Sequence, residues 1–416
     1  MLLPKNKLLS DVLLYIKAFL KWLCLSVIIG IICGTVGSFF ASAIHFATDF
    51  RLQNKWLILL LPVGGIISVG LYKLFRVSGV GTNNVFETVR SEKKVSILLA
   101  PAVIIGSTLT HLFGGSAGKE GAALQIGGSI SSFLGRVLNL DDSSRHILTI
   151  CGMSALFSSV FGTPIGAAVF AIEVISVGTF CSAAIFPSLL SSLTASFVAE
   201  FLNLKPESFE VFSVINVDIK TFVSVVVISI AGAIVSVIFC KSLHLSEKYF
   251  KRMFKNEFLR VAVGGTVIIV LTILVGNNDY NGGGIEVIER IFNEGTVRYE
   301  AFVLKLIFTV ITVASGYKGG EIVPTLFIGA NLGAAMSAFL GTNMQFCTAV
   351  GMCALFCGVT NCPLATVFLA VELFGLNGLP FYALAVGVSF LLSGNISLYE
   401  GQKLSFSKLS DKKIDD

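Results

Sequence analysis

Hydrophobic residues dominate this chain in long stretches without Asp, Glu, Lys or Arg, and short segments between them carry the charges. A helix that crosses a membrane needs about 20 apolar residues, because the hydrocarbon core is roughly 30 Å thick. The uncharged stretches approach or exceed that length, and they cover residues 23–48, 56–72, 95–118, 147–172, 174–199, 221–240, 261–278, 322–371 and 373–399. The pattern therefore predicts an all-α polytopic membrane protein.

Several of these stretches do not match one regular crossing helix. The stretch 322–371 is too long for a single crossing, and it contains several glycines and Pro363. The stretch that ends at Gly118 is followed, after two charged residues, by a second apolar run from 121 to 135. Glycine and proline weaken or interrupt helices. With 41 glycines in the chain, we expect short, tilted and re-entrant helices.

The chain contains an internal repeat. Residues 152–173 (GMSALFSSVFGTPIGAAVFAIE) align without a gap to residues 351–372 (GMCALFCGVTNCPLATVFLAVE), with nine identical positions. A weaker match pairs Gly127 with Gly329, each preceded by isoleucine. The two halves of the chain are therefore related.

Related halves with interrupted helices at corresponding positions are typical of secondary transporters. In that architecture broken helices meet near the middle of the bilayer, and a helix N-terminus attracts an anion through its free NH groups and its dipole. A duplication kept only for close helix packing is the alternative, and it would explain most of the glycines. It would not explain charged residues in the glycine loops of both halves, so we predict an anionic substrate.

We expect five segments along the chain. They are a cytoplasmic N-terminal segment (1–22), a first membrane repeat (23–203), a connecting loop (204–220), a second membrane repeat (221–400) and a cytoplasmic tail (401–416). The first apolar run has no cleavage site of small residues, so no removable signal peptide is predicted.

Composition and charge exclude an ordinary soluble enzyme. Only 13% of the residues are charged, against roughly 25% in soluble domains. The formal net charge is +5, and the basic residues cluster at the N-terminus, within 241–260 and at Lys403, Lys408, Lys412 and Lys413. By the positive-inside rule both termini are predicted to be cytoplasmic. Because these basic residues lie at the ends of spans and not in one patch, no nucleic-acid partner is predicted.

The first motif with chemical potential is GGSAGKEG, residues 114–121. A carboxylate within a membrane is costly, so Glu120 needs a cationic partner, a helix N-terminus or a proton. Lys119 is adjacent and a helix is expected to begin at Glu120, so all three are within reach. A Walker phosphate loop is excluded because Phe113 and Glu120 stand where that motif needs glycine and Ser or Thr. The structural alternative is a Glu120–Lys119 pair at a helix interface.

Three further motifs accompany it. The segment GGEIVP, residues 319–324, again places a carboxylate, Glu321, after a glycine pair and before an apolar helix. The loop SGVGTNN, residues 78–84, precedes Phe86. Tyr399 follows the last uncharged stretch in the sequence SLY, and by itself it would be typical of an interfacial anchor.

Taken together, these motifs resemble the CLC family of chloride channels and anion/proton exchangers. GKEGAALQIGG is similar to the family's GREGPxxQxGG, GTPIGAAVFAIE to its NAPLAGxLFxxE, and SLY to its anion-binding tyrosine segment. The resemblance extends from the first span to Tyr399. It implies a CLC-type inverted repeat, a homodimer with one pathway per subunit, and a multi-pass location in a bacterial inner membrane.

The resemblance also implies roles for individual residues. Glu120 corresponds to the gating glutamate, whose carboxylate occupies an anion site when ionised and leaves it when protonated. The anion-binding residues implied are Thr82, Asn83, Gly118, Lys119, Gly121, Ile322, Val323 and Tyr399.

Departures from the family pattern point to one branch. The chloride-coordinating serine of a GSGIP loop is absent, and Thr82 or Asn83 is nearest to that role. Val174 stands where many chloride/proton exchangers have a second glutamate, and Glu321 replaces an apolar residue. This combination is similar to the bacterial fluoride/proton antiporters, and Glu321 then becomes a second titratable group for gating and proton transfer.

Other positions bear on the fluoride assignment. Fluoride accepts hydrogen bonds well, so NH and amide donors could compensate its dehydration, with Phe86 as an aromatic lining; Phe86 as plain core packing is an equal alternative. Lys119 and Ala122 replace the usual arginine and proline, and Val323 stands where the fluoride branch is expected to have threonine.

The sequence therefore predicts fluoride/proton antiport with the bilayer, an anion and protons as partners. A chloride/proton exchanger or a chloride channel of the same family remains the alternative. A membrane-embedded hydrolase built on Glu120 or His111 is disfavoured, because no histidine has the spacing of a catalytic or metal-binding group. The nine cysteines lack paired zinc-type spacing, so neither a metal nor a cofactor is predicted.

Overall fold

The computed structural model describes residues 5–91, 94–209, 211 and 218–409, with side chains from residue 11 onward. This part of the chain contains sixteen α-helices, three 3-10 helices and two short strands. The α-helices are α1 (Lys5–Gln53), α2 (Leu61–Leu74), α3 (Thr82–Arg90), α4 (Leu99–Leu112), α5 (Glu120–Val137), α6 (Asp142–Phe161), α7 (Pro164–Glu173), α8 (Ile185–Phe201), α9 (Ile219–Met253), α10 (Glu257–Val275), α11 (Ile285–Glu294), α12 (Ala301–Ser315), α13 (Ile322–Leu340), α14 (Met344–Thr360), α15 (Pro363–Phe374) and α16 (Leu379–Leu392). The strands β1 (Ser176–Val177) and β2 (Lys403–Leu404) pair in parallel.

The helices confirm the predicted all-α architecture, including its interrupted segments. Within the described residues, six helical segments are long and apolar enough to cross a membrane. Others are much shorter: α7 has 10 residues and α15 has 12. At a rise of 1.5 Å per residue, helices of that length extend only about 15–18 Å, roughly half of the hydrocarbon core. The uncharged stretches are therefore folded partly as broken helices.

The internal repeat has a structural counterpart in α5–α7 and α13–α15. In the first half, a Cβ on Gly127 would lie 2.1 Å from the carbonyl oxygen of Gly152. In the second half, a Cβ on Gly329 would lie 2.5 Å from the carbonyl oxygen of Gly351. Only glycine allows backbones to approach this closely. The glycines shared by the two halves thus fix the same helix contact twice.

The glutamates that end the repeated segment join the two halves. Glu173 accepts hydrogen bonds from the backbone amides of Leu364 and Ala365 at 3.2 and 2.8 Å, in the first turn of α15. Glu372 accepts them from Ile165 and Gly166 at 2.8 Å each, in the first turn of α7. Because each helix ends where the other begins, α7 and α15 run antiparallel. The two carboxylates satisfy amides that have no partner within their own helix.

The five predicted segments do not coincide with breaks between elements everywhere. Helix α1 is continuous from Lys5 to Gln53, so it passes through the expected boundary at residue 22. In the connecting loop, residues 210 and 212–217 lie outside the described residues. In the tail, residues 410–416, which include Lys412 and Lys413, also lie outside them. The segment boundaries and the cytoplasmic side remain predictions.

Candidate functional site

The two glycine loops meet in the interior of the molecule. Gly118 and Gly320 form an antiparallel bridge in which each amide donates to the other residue's carbonyl, at 2.6 and 2.7 Å. Helix α5 begins two residues after Gly118, and α13 begins two residues after Gly320. A Cβ on Gly320 would lie 2.5 Å from the Gly121 amide nitrogen. The absence of side chains at these positions therefore allows two helix N-termini, one from each half, to lie side by side.

Glu120 is completely buried at the start of α5. One carboxylate oxygen, Oε2, accepts a hydrogen bond from the backbone amide of Lys119 at 3.1 Å. The other, Oε1, is buried without a hydrogen-bond partner among the described residues. A buried carboxylate oxygen without a donor is costly. Binding of a proton, or of a hydrogen-bond donor, at Oε1 would therefore stabilise Glu120.

The ammonium of Lys119 pairs with Glu207 and not with Glu120, which was the structural alternative. The Lys119 ammonium lies 3.1 Å from Glu207 Oε1, in the segment that follows α8, and 3.5 Å from His45 Nε2. The side chains of Lys119 and Glu207 are only 6% and 12% exposed. Adjacent residues at a helix start point in different directions, so the Lys119 ammonium pairs with Glu207 while its backbone amide donates to Glu120.

Glu321 immediately precedes α13 and is partly exposed. It lines a cavity of about 550 Å³, hereafter the vestibule, together with Thr82, Asn83, Lys318 and Tyr399. Glu120 is not among the residues that line this cavity. The two carboxylates thus differ in surroundings, since Glu321 has access to the vestibule and Glu120 is enclosed.

The side-chain amide of Asn83 is oriented by Gly401, which follows the last helix. Asn83 Oδ1 accepts a hydrogen bond from the Gly401 amide at 3.1 Å. Its oxygen is thereby engaged, and the NH₂ group is left as the donor end of the side chain. Thr82 Oγ1 accepts from Gln125 Nε2 at 3.0 Å. Both residues lie in the first turn of α3, so a third helix N-terminus borders the vestibule.

Tyr399 and Phe86 form an aromatic pair beside these groups. Their ring centroids are 5.2 Å apart with an interplanar angle of 78°. The Tyr399 hydroxyl is buried and has no hydrogen-bond partner among the described residues. Phe86 is fully buried and packs on Tyr399 without being among the residues that line the vestibule. This geometry favours packing for Phe86 and leaves the Tyr399 hydroxyl as an unused donor.

The remaining predicted residues are positioned by the bridge. Gly118, Gly121, Ile322 and Val323 are all buried. A Cβ on Gly118 would lie 3.0 Å from Val323 Cβ and 2.9 Å from Glu120 Oε2. The structure therefore brings the two glycine loops, Glu120 and the start of α13 together around one point.

Sequence reasoning missed the charged groups of the vestibule. They include His244, Glu247 and Lys251 of α9, and Arg260 of α10. Glu247 and Lys251 form an ion pair at 2.5 Å. In the sequence, the basic cluster 241–260 predicts only the orientation in the membrane. Its helical spacing also places several of these side chains on one face of α9. The vestibule thus contains both signs of charge.

A loop from α10 to α11 covers the bridge on the side away from the vestibule. The Gly282 amide donates to the Gly115 carbonyl at 3.1 Å. The buried Lys305 ammonium holds this loop through the carbonyls of Tyr280 and Gly282, at 3.2 and 2.7 Å. Arg51 Nε donates to the His111 carbonyl at 3.0 Å. Lys305 therefore holds the covering loop, and Arg51 holds the last turn of α4.

Within the described part of the chain, no group of three or more His, Cys, Asp or Glu residues could hold a metal ion. The buried His111 ring contacts the Ser107 carbonyl through Nδ1 at 2.8 Å. That contact engages a backbone group one helical turn away and brings no nucleophile to the ring.

Known proteins match this chain over nearly its whole length. The family model described as voltage gated chloride channel matches residues 64–394. A protein of Pseudomonas syringae pv. tomato named chloride/fluoride channel protein is 32% identical, covering 96% of this chain and 89% of its own. The crystal structure of a CLC-type fluoride/proton antiporter aligns with a TM-score of 0.90 and 33% identity, covering 93% of this chain and 98% of that one. A slow cyanobacterial Cl⁻/H⁺ antiporter shares the fold, with a TM-score of 0.77 and 21% identity over 89% of this chain and 93% of its own.

Proposed function

The chain belongs to the family of voltage-gated chloride channels, as its motifs indicated, and we propose that it exchanges fluoride for protons across a membrane. The observation that carries this proposal is the buried carboxylate of Glu120, which lies at the N-terminus of α5 with one oxygen unpartnered. The relative named a chloride/fluoride channel protein and the similar fluoride/proton antiporter support the choice of anion.

In this proposal Glu120 is both gate and proton carrier. When ionised, its carboxylate occupies the positive environment made by the N-termini of α5 and α13. When protonated, it loses the attraction to that environment and leaves the position to an anion. A single carboxylate that competes with the anion and carries a proton couples the two movements, because each state excludes the other.

The anion is bound by donors from the backbone and from neutral side chains. The helix starts provide the amides of Gly121, Ile322 and Val323, and the amide NH₂ of Asn83 and the hydroxyl of Tyr399 add directional donors. Gly118 acts by allowing the loops to approach, and Thr82 by fixing Gln125 at the entrance. Lys119 contributes its backbone amide, since Glu207 engages its ammonium. Fluoride, a small anion and a good acceptor, suits such a set of NH and OH groups.

Glu321 serves as the second proton-transfer group. It is the carboxylate that lies next to the bridge and also borders the vestibule. Protons can enter the vestibule with water, whereas Glu120 has no access to that cavity. We therefore assign to Glu321 the exchange of protons between the vestibule and the site occupied by Glu120.

We further propose a homodimer with one pathway per subunit, inserted in a bacterial inner membrane with both termini in the cytoplasm. The cluster of Lys and Arg within 241–260 supports this orientation. Labelling of cysteines placed at residue 2 and at residue 255 from one side of sealed vesicles tests it. Labelling of either one from the periplasmic side would contradict the orientation.

The decisive experiment uses proteoliposomes loaded with fluoride or chloride while the external pH is recorded. We expect fluoride efflux with coupled proton uptake in the wild type. In Glu120→Gln, a side chain that cannot carry a proton, proton flux should fall at least about tenfold while anion efflux continues. Glu200→Gln, an exposed carboxylate at the end of α8, is the matched control.

Three outcomes would contradict the proposal. Normal proton flux in Glu120→Gln would remove its role as proton carrier. Preference for chloride over fluoride would favour the chloride/proton exchanger, and chloride efflux without proton movement would favour a channel in which Glu120 is only a gate.

A further inference from the structure

A second large cavity lies beside the vestibule and has no role in the proposed pathway. Its volume is about 690 Å³, and it is named here the side cavity. It is bordered by the C-terminal end of α3, the first turns of α6, the connection between α7 and α8, and β2. Three residues that line it are basic, Arg90, His146 and Lys403, and none of its described lining residues is Asp or Glu. The lining of the side cavity thus contains basic side chains and no described carboxylate.

The polar residues of its lining are suited to a phosphate group. Ser143, the second residue of α6, lines the cavity. The first turn of α6 therefore borders the cavity, with Asp141 capping the Ser144 amide. The hydroxyls of Ser176, Thr179 and Ser405 also line the cavity, and those of Ser176 and Ser405 are hydrogen-bonded to each other. Basic groups, hydroxyls and a helix N-terminus are the usual partners of phosphate oxygens.

The lining also contains apolar side chains, which favours a lipid over a free ion. They are Val89, Ile147, Ile150, Ile172 and Ile175. A small inorganic anion gains nothing from such a surface, whereas an acyl chain or glycerol backbone gains about 25 cal/mol for each Å² it buries.

The location of the side cavity also fits a membrane surface. Lys21 of α1 lies 3.6 Å from Asp141, the N-cap of α6, and donates to Ser144 at 2.6 Å. The side cavity is therefore at the same end of the helices as the basic N-terminal part of α1. The positive-inside rule assigns that end to the cytoplasmic surface, where anionic headgroups accumulate.

Two segments connect the side cavity to the vestibule. Helix α3 has Asn83 at the vestibule and Arg90 at the side cavity. The segment 399–405 has Tyr399 at the vestibule and Lys403 at the side cavity. Arg90 also donates to the carbonyl of Gly401, whose amide donates to Asn83. A ligand held by Arg90 and Lys403 would therefore contact both segments that carry proposed anion-binding side chains.

We propose that the side cavity binds an anionic phosphate group, supplied by the headgroup of a membrane phospholipid, and that its occupancy fixes α3 and residues 399–405 beside the vestibule. Binding rests on the side cavity alone. The expected effect on anion flux rests on the proposed function as well.

A cysteine in the side cavity provides a direct readout. Cys181 lines the cavity and is exposed; Cys24 is the other exposed cysteine, and the remaining seven are buried. In a Cys24→Ser protein, N-ethylmaleimide therefore reports on Cys181. Nanodiscs of phosphatidylcholine are compared with nanodiscs containing phosphatidylglycerol, and with phosphatidylcholine plus millimolar inorganic phosphate. We expect labelling to slow about fivefold or more with phosphatidylglycerol and to be unchanged by phosphate.

Charge variants separate specific binding from a general surface effect. Arg90→Gln/Lys403→Gln should lose the protection. Lys248→Gln/Arg252→Gln removes two exposed basic residues of α9 outside the cavity and should retain it. Equal labelling of the unsubstituted side cavity in both lipids, or protection that survives Arg90→Gln/Lys403→Gln, would overturn the site. Equal protection by inorganic phosphate alone would overturn the lipid as its source.

Flux measurements in the same lipids test the second part. Anion efflux should depend on phosphatidylglycerol in the wild type and lose that dependence in Arg90→Gln/Lys403→Gln. Lipid-dependent protection of Cys181 in a protein that transports no anion would count against the proposed function and leave the binding site standing. Protection without lipid-dependent efflux in an active transporter would overturn the link to the vestibule.

Discussion

Lys119 and Glu321 occupy the same position in the two halves of the chain, yet their side chains are used in opposite ways. Each follows a bridging glycine, Gly118 or Gly320, and each is the N-cap of a central helix. Lys119 is buried in an ion pair with Glu207, whereas Glu321 borders the vestibule. In an inverted repeat, equivalent side chains point to opposite faces of the membrane. On one face the Lys119 ammonium is therefore held in an ion pair. On the other face, in our proposal, the Glu321 carboxylate exchanges protons with the vestibule.

The largest effect is expected from a side chain placed in the bridge itself. In Gly320→Ala the new Cβ would meet the Gly121 amide nitrogen at 2.5 Å and its Cα at 2.8 Å, both of them backbone atoms. The two loops must separate, and a displacement of this size at a binding site costs on the order of 100-fold in rate. Fluoride efflux from proteoliposomes measures it.

Gly70→Ala is the matched control, because a Cβ on this glycine of α2 has no neighbour within 4 Å. It should leave efflux intact and change stability by less than about 1 kcal/mol. Wild-type efflux in Gly320→Ala would mean that the close approach of the two halves is not required.

The ion pair between Lys119 and Glu207 is tested by removing the charge of Glu207. Glu207→Gln leaves a buried ammonium without its counter-charge, which should lower the free energy of unfolding by about 3 kcal/mol. Thermal melting in detergent measures the loss. Lys119→Gln/Glu207→Gln removes both charges and should recover most of the stability. If the double variant were no more stable than Glu207→Gln, the pair would not be the source of the effect.

At two positions the two halves of the chain use the same residue, glutamate. Glu173 and Glu372 each bind two amides of the other half. Glu173→Gln and Glu372→Gln should each cost about 1–3 kcal/mol of stability, since each weakens hydrogen bonds to a charged acceptor. The two melting temperatures should fall by similar amounts. A loss confined to one variant would contradict an equivalent role for the two glutamates.

Glu321, which borders the vestibule, gives the smallest expected change in transport rate. Glu321→Gln removes a titratable group from the edge of the vestibule and should slow proton-coupled fluoride exchange about tenfold, equivalent to about 1.4 kcal/mol. Glu200→Gln again serves as the control. The stability of Glu321→Gln should stay near that of the wild type, because Glu321 forms no ion pair with the described residues. Unchanged coupled exchange would remove Glu321 from the proton route.

The sequence was sufficient for features that depend on local pattern. Interrupted apolar stretches predicted broken helices, and the glycine pairs before Glu120 and Glu321 predicted helix starts. Contacts between distant residues could not be predicted in this way. Lys119 meets Glu207 across 88 residues of sequence, and no periodicity or motif relates the two. The sequence offers the adjacent Glu120 as an alternative partner, but the geometry of a helix start directs the two side chains apart.

The exchange of carboxylates between α7 and α15 also has a consequence for biosynthesis. The amide of Ile165 finds its acceptor 207 residues later in the chain. At about 5–20 residues per second, a ribosome needs roughly 10–40 seconds to make that interval. During this time the amides in the first turn of α7 lack their acceptor, Glu372, in the membrane-inserted first half. The final packing of α7 therefore forms after insertion of the second half. A first half expressed alone should not reach this final packing of α7, and co-expression of the second half should restore it.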